Sequence, residues 1–154
     1  MYQLRGKLSI VMPAYNEEAL IYNSIMQTLS IVEQFAPDME IIAVNDGSKD
    51  KTKQEIERAI RDDAKQPHPV VPGMRVSGTR IKLVTSNKNR GKGNAIISGI
   101  SQAEGDYIAF VDADLELNPA QLEGYLKKMQ ESRSDVVIGC KFHKDSELHY
   151  PFVR

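Results

Sequence analysis

The chain has 154 residues, 41% of them hydrophobic and 27% charged, which is enough for one globular domain with a real core and unlike a disordered segment. Its 20 basic and 21 acidic side chains give a formal net charge of -1, so the basic surplus that bulk nucleic-acid binding needs is missing. A single cysteine, Cys140, rules out an intrachain disulfide and agrees with a reducing compartment. The charged start from Met1 to Lys7 lacks the apolar stretch of a secretory signal, and no apolar run approaches the ~20 residues that span a bilayer.

Leu8 to Met12 is a short apolar run of strand type, closed by Pro13. Asn16, followed by Glu17 and Glu18, reads as the N-cap of a helix whose inner face is Leu20, Ile21, Ile25, Leu29 and Val32. Pro37 ends that helix. Glu40 to Val44 predicts a second strand, stopped by Asn45-Asp46-Gly47-Ser48, and Lys51 to Ala64 a second helix with Ile56, Ala59 and Ile60 inward. Gln66 to Thr79, with three prolines and two glycines, reads as a surface loop. The third strand is Ile81 to Val84 and the third helix Gly91 to Ala103. Tyr107 to Val111 is the fourth strand, Pro119 opens a fourth helix reaching about Glu131, and Val136 to Ile138 is a fifth strand.

Strands that alternate with helices, and whose apolar runs are continuous, predict an α/β domain with a mostly parallel sheet and helices on both faces. Ligands of such sheets bind beyond the carboxyl ends of the strands. The unusual residues of this chain lie at those ends.

Asp112 and Asp114 follow the fourth strand. Side chains at i and i+2 share a face, and two carboxylates so close repel unless a cation or protons intervene. Mg²⁺ or Mn²⁺ takes oxygen ligands and completes its shell with substrate phosphates, so the pair could bridge a cation to a diphosphate, with Glu116 as a third ligand. Two turn-forming aspartates ahead of Pro119 are the plainer alternative. Asp46 at the end of the second strand could accept a base N–H or a ribose hydroxyl, or could belong to an ordinary Asp-Gly turn. Tyr15 could pack near a nucleobase and Glu17 hydrogen-bond a nucleoside; equally, Tyr15 could fill the core beside a capped helix start. Asn89-Arg90-Gly91-Lys92-Gly93 could be a phosphate-side loop, its glycines letting backbone approach a ligand and its cations offsetting diphosphate charge, or a solvated basic turn ahead of a helix. It is not a Walker A loop, for Lys92 is followed by glycine and the leading glycine is missing. His68, His143 and His149 have no spacing of a metal cage and read as surface or loop histidines, while Cys140 reads as a small buried residue.

Together, Ile10 to Glu18, Val44 to Ser48 with Thr52, Asn89 to Ala95, and Gly105 to Asp114 resemble the family-2 glycosyltransferases of GT-A fold, in the family's order and spacing, across Leu8 to about Gly139. Within that family the nearest likeness is to enzymes that glycosylate a polyprenyl or dolichyl phosphate. The resemblance implies that Pro13, Ala14, Tyr15, Glu17 and Asp46 hold the nucleoside and that Lys92 sits near the nucleotide. It implies Asp112, Ala113 and Asp114 at the diphosphate, with Asp112, Asp114 and Glu116 on a Mg²⁺ or Mn²⁺ ion. Lys141 and Arg154 fall where basic residues receive the acceptor phosphate. Asn45, Glu116 and Lys141 depart from the aspartate, glutamine and arginine found in relatives.

The resemblance therefore implies inverting transfer from a GDP-mannose or UDP-glucose type donor to a lipid phosphate, at the cytoplasmic face of a membrane with peripheral contact. Residues 1–154 are expected to be a single GT-A domain, cut short at its C-terminal end. A nucleotide-sugar-binding fragment without turnover is one alternative. A nucleotidyltransferase is the other, although such enzymes open with a glycine-rich basic loop where this chain has Pro13 to Glu17.

Overall fold

A computed structural model describes residues 2–68 and 78–140. The elements run β1 (Leu8–Ala14), α1 (Ile21–Val32), β2 (Met39–Asp46), α2 (Thr52–Asp63), β3 (Ile81–Ser86), α3 (Lys92–Ile100), β4 (Tyr107–Phe110) and α4 (Gln121–Ser132). The four strands pair in parallel in the order β3-β2-β1-β4. The chain thus winds outward through α1 and α2 to β3, then crosses back through α3 to β4 on the other side of β1.

Burial follows strand parity. Leu8, Ile10, Met12 and Ala14 of β1, with Met39, Ile41 and Ala43 of β2, face the large core shared with α1, α2 and α4. Val11, Ile42 and Val44 point the other way and pack with Ala95 of α3. All eight residues of β2 are buried, which is why its middle, Ile41 to Val44, is a continuous apolar run rather than an alternating one. Helices therefore cover both faces of the sheet, as the sequence predicts.

α3 lies very close to its face. A Cβ on Gly99 would collide with the Val11 side chain and press on that of Val44. Gly99→Ala is expected to cost about 1–3 kcal/mol through overpacking. Gly124 in α4 has open space at its Cβ position, so Gly124→Ala is expected to stabilise by about 0.5–1 kcal/mol. Urea unfolding of the two variants checks the contrast.

The amino ends of the strands are tied by a charge network. Glu40, nearly buried on β2, accepts from the Ser9 hydroxyl and the Glu104 N–H and pairs with Lys7 at 3.2 Å and Lys82 at 2.9 Å. Burial pushes its carboxyl up, but the hydrogen bonds from Lys82, Ser9, Glu104 and Lys7 outweigh this and hold it below the usual range. Hydrogen bonds from Lys82 and Lys7 hold the Glu104 carboxyl down at about 2, from an ordinary 4.5. Folded pKa values below the unfolded ones mean that this stabilisation is present above about pH 4.5 and is lost as pH falls toward about 2. Denaturant midpoints should fall between pH 5 and pH 3, and less steeply in Glu104→Gln.

Two expected elements differ. Residues 136–140 form no strand: Val136 is 74% and Ile138 78% exposed, so a three-residue apolar run has not found a place in the sheet. Cys140 is accordingly exposed rather than buried. The first helix begins at Ile21, not at Asn16, whose side chain is engaged elsewhere.

Candidate functional site

β1 and β4 stay paired only from Leu8↔Tyr107 to Val11↔Phe110, whereas β1 and β2 pair on to Ala14↔Asn45. Val111 makes one last bond to the Val11 carbonyl, and the chain then turns away from the sheet. The strand order reverses at this point, so a crevice opens beyond the carboxyl ends of β1 and β4. A cavity of about 320 Å³ occupies it.

The loop after β1 supplies Pro13, Ala14, Tyr15 and Glu17 to the wall. Asn16 sits between them in the left-handed region, at φ 57°, which asparagine tolerates. Its N–H donates to Ser48 Oγ, and its Oδ1 accepts from the Lys49 N–H. Next to it, the Glu17 N–H donates to Thr52 Oγ1 at 2.8 Å and the Glu18 N–H to Asp50 Oδ2. The loops after β1 and β2 are thereby laced together, leaving the 41%-exposed Tyr15 ring facing the cavity rather than the core.

Asp46 lines the floor, but its carboxylate is bound to backbone. Its oxygens accept from the Arg90 N–H at 3.0 and 3.1 Å and from the Gly91 N–H at 2.8 Å. Gly47 at φ 69° lets this loop pass beneath Lys88 and Asn89, whose backbone a Cβ would strike. Asp46 therefore fixes the 89–91 loop and the start of α3, where Asn89, Lys92 and Ala95 complete that wall.

Asp112, Ala113 and Asp114 form the opposite wall. The Ser24 hydroxyl of α1 donates to the Ala113 carbonyl at 2.5 Å, pinning the turn. Leu115 then adopts φ 51°, and its N–H returns to the Asp112 carbonyl. Lys92 Nζ reaches across to Asp112 Oδ1 at 2.6 Å. Burial, and then the Asp114 and Asp50 carboxylates, push the Glu17 carboxyl above its ordinary range. Like charges thus crowd one side of the cavity.

Pro13, Ala14, Tyr15, Glu17, Asp46, Lys92, Asp112, Ala113 and Asp114, which the sequence singles out from four separate segments, meet at this one place. Glu116 does not join them. It lines a neighbouring groove with Leu117 and Tyr125, and touches the site through its N–H, which donates to Asp114 Oδ1. Among the described residues no three acidic, histidine or cysteine side chains gather into a ready-made metal cage. Two exposed carboxylates beside open space still suit a hard cation that takes its other ligands from water and phosphate. Lys141 and Arg154, with His143 and His149, lie outside the described residues. Sequence reasoning had Asn89 within the phosphate-side loop, but it gave Ala95 no role in the wall and missed Ser24 as a clamp. Ser24 did leave a signal, a hydroxyl on the apolar stripe of α1 beside Ile21, Ile25 and Thr28.

A family model for glycosyl transferase family 2 matches residues 9–151. The chain belongs to that family. Two curated proteins similar to this chain are undecaprenyl-phosphate 4-deoxy-4-formamido-L-arabinose transferases. The one from Shewanella sediminis is 32% identical over 94% of this chain and 40% of its own length. The one from Photorhabdus laumondii is 35% identical over 92% of this chain and 39% of its own. The chain thus spans well under half the length of these relatives. The mannosyltransferase PcManGT from Pyrobaculum calidifontis, solved with GDP-Man and Mn²⁺, superposes with a TM-score of 0.63 over 82% of this chain and 33% of that one, at 23% identity. That likeness is one of fold, and the fold is GT-A. No helix among the described residues is long and apolar enough to cross a membrane.

Proposed function

We propose that the cavity holds the nucleoside diphosphate of a sugar donor, and that the chain is the donor-binding part of a glycosyltransferase acting on a polyprenyl phosphate. The observation that carries this reading is the meeting of Asp112, Asp114 and Lys92 with Tyr15 and Glu17 at the crevice where the strand order reverses. Tyr15 offers a ring face to the base and Glu17 an acceptor for a nucleoside hydroxyl or N–H. Asp46 keeps the 89–91 backbone in place. Asp112 and Asp114 would hold a Mg²⁺ or Mn²⁺ ion, which supplies positive charge against the departing diphosphate. Lys92 adds to that charge, in the manner of preorganised electrostatic catalysis.

The donor is of GDP-mannose or UDP-glucose type, and the transfer inverts the anomeric centre because the acceptor attacks from the face opposite the diphosphate. A hydroxyl acceptor would need a general base within ~3 Å of its proton. A phosphate acceptor is already anionic near neutral pH and needs cations to position it, a role for Lys141 and Arg154. The names of the curated relatives support such an acceptor. Work on a lipid phosphate would bring the protein to the cytoplasmic face of a membrane in peripheral contact.

The test is to incubate the protein with labelled GDP- and UDP-sugars, polyprenyl phosphate and Mg²⁺ or Mn²⁺. A lipid-linked sugar with free nucleoside diphosphate is the expected product. Release of pyrophosphate instead would mark a nucleotidyltransferase. Donor binding with no transfer to any lipid phosphate would remove the acceptor half of the proposal.

A further inference from the structure

We propose that Lys92 is a resident counter-ion of the donor cavity, which holds Asp112 until a divalent cation and a nucleoside diphosphate arrive together and then passes to the diphosphate. The inference rests on the donor-site reading above and concerns how that site is loaded.

Charge sets the problem. Four carboxylates line the cavity; Asp46 is tied by the Arg90 and Gly91 N–H groups, whereas Asp114 accepts one backbone N–H, from Glu116. Glu17, Asp112 and Asp114 remain, while Lys92 is the one basic side chain among the described residues of the wall. A diphosphate entering without a cation meets Glu17 and Asp114. A cation entering without a diphosphate meets the Lys92 ammonium already lying 2.6 Å from Asp112 Oδ1, close to where a metal ligand bond of ~2.0–2.2 Å would form. Each newcomer alone is opposed. Together they give Lys92 a new partner as the cation takes its old one.

The lysine is placed to make this exchange. It is the first residue of α3, and the Asp46 bonds to Arg90 and Gly91 anchor the backbone immediately before it. Its side chain is 58% exposed and Asp112's is 48%, so the ammonium can swing on its four-carbon stem without moving the helix. Cation and nucleotide must then bind with positive coupling, and by linkage each strengthens the other by the same factor.

The experiment titrates Mn²⁺ into the 154-residue protein by calorimetry, alone and with GDP or UDP, for the parent, Lys92→Gln, Asp112→Asn and the double variant. In the parent, one nucleotide should strengthen Mn²⁺ binding. Lys92→Gln should bind Mn²⁺ alone about two- to fivefold more tightly, the range of a half-exposed ion pair, and should gain less from nucleotide. In the Asp112→Asn background the same substitution should bring no gain. If Lys92→Gln leaves or weakens Mn²⁺ affinity while Asp112→Asn still lowers it, the counter-ion role is overturned and the donor site stands. An unchanged Mn²⁺ affinity of the parent on adding nucleotide would likewise overturn the counter-ion role alone. Absence of Mn²⁺ binding by the parent in every arm overturns both readings.

Discussion

Asp112→Ala and Asp114→Ala are each expected to lower sugar transfer by at least ~10²-fold, the scale seen when one preorganised group facing developing charge is removed. Ala113, the residue between them, is fixed by the Ser24 bond to its carbonyl, so the two carboxylates are held by a pinned turn rather than a loose loop. The two losses should differ in kind. Asp112 is paired with Lys92, so its removal also frees a cation that can attract diphosphate. Asp114 lies near Glu17 and raises that group's pKa, so its removal relieves repulsion in the free protein. Nucleotide binding without metal should therefore be kept or improved in both variants, while the part that depends on metal disappears. Transfer rates and nucleotide affinities with and without Mn²⁺ separate the two effects. Transfer at parental rates in Asp114→Ala would sink the metal assignment.

Asp63→Ala is expected to be the most destabilising of the simple truncations, at about 3–5 kcal/mol. The Asp63 side chain is fully buried at the end of α2. It accepts from Thr79 Oγ1 at 2.9 Å, from the Arg80 N–H at 2.7 Å and from Arg80 Nη2 at 2.8 Å. Burial pushes the Asp63 carboxyl up, but the bonds from Arg80 and Thr79 outweigh it and hold it low, so it stays ionised. Alanine would leave Arg80, itself nearly buried, with Glu33 as its remaining partner at 2.8 Å, and would orphan the Arg80 N–H. Removing both charges together, as in Asp63→Leu with Arg80→Met, should cost less than Asp63→Ala alone, because no buried charge is left over. Urea unfolding of the three proteins decides it; a loss under ~1 kcal/mol for Asp63→Ala would contradict the reading.

The two central strands, β1 and β2, were legible because burial on both faces gives them the unbroken apolar runs Ile10 to Met12 and Ile41 to Val44. The cavity was legible because strand ends are where such folds place ligands, and each strand end carried residues with no part in the core. What was not legible depended on contacts distant in sequence. Asn16 with two following acids has the look of a helix cap, yet Lys49 and Ser48 take its side chain and N–H. Glu116 shares parity with Asp112 and Asp114, but Leu115 turns through φ 51° and carries Glu116 out of the cavity. His68 lies in a loop, one of the two placements expected, but its ring is largely buried rather than on the surface, with Nε2 at 2.9 Å from the Gly78 carbonyl and Nδ1 at 3.9 Å from Asp63. Val136 to Ile138 has strand composition, but three residues do not specify which edge they should join.

The most direct test of the donor cavity is the thermal unfolding of the protein with GDP- and UDP-sugars, each with and without Mn²⁺. At a hundred times its dissociation constant a ligand of the folded state adds about 2.7 kcal/mol of stability. A shift that needs both Mn²⁺ and one nucleotide sugar, and that disappears in Asp112→Ala and Asp114→Ala, is the predicted result. An equal shift in those two variants, or none with any donor in a folded sample, would contradict the assignment of this cavity to a nucleotide sugar.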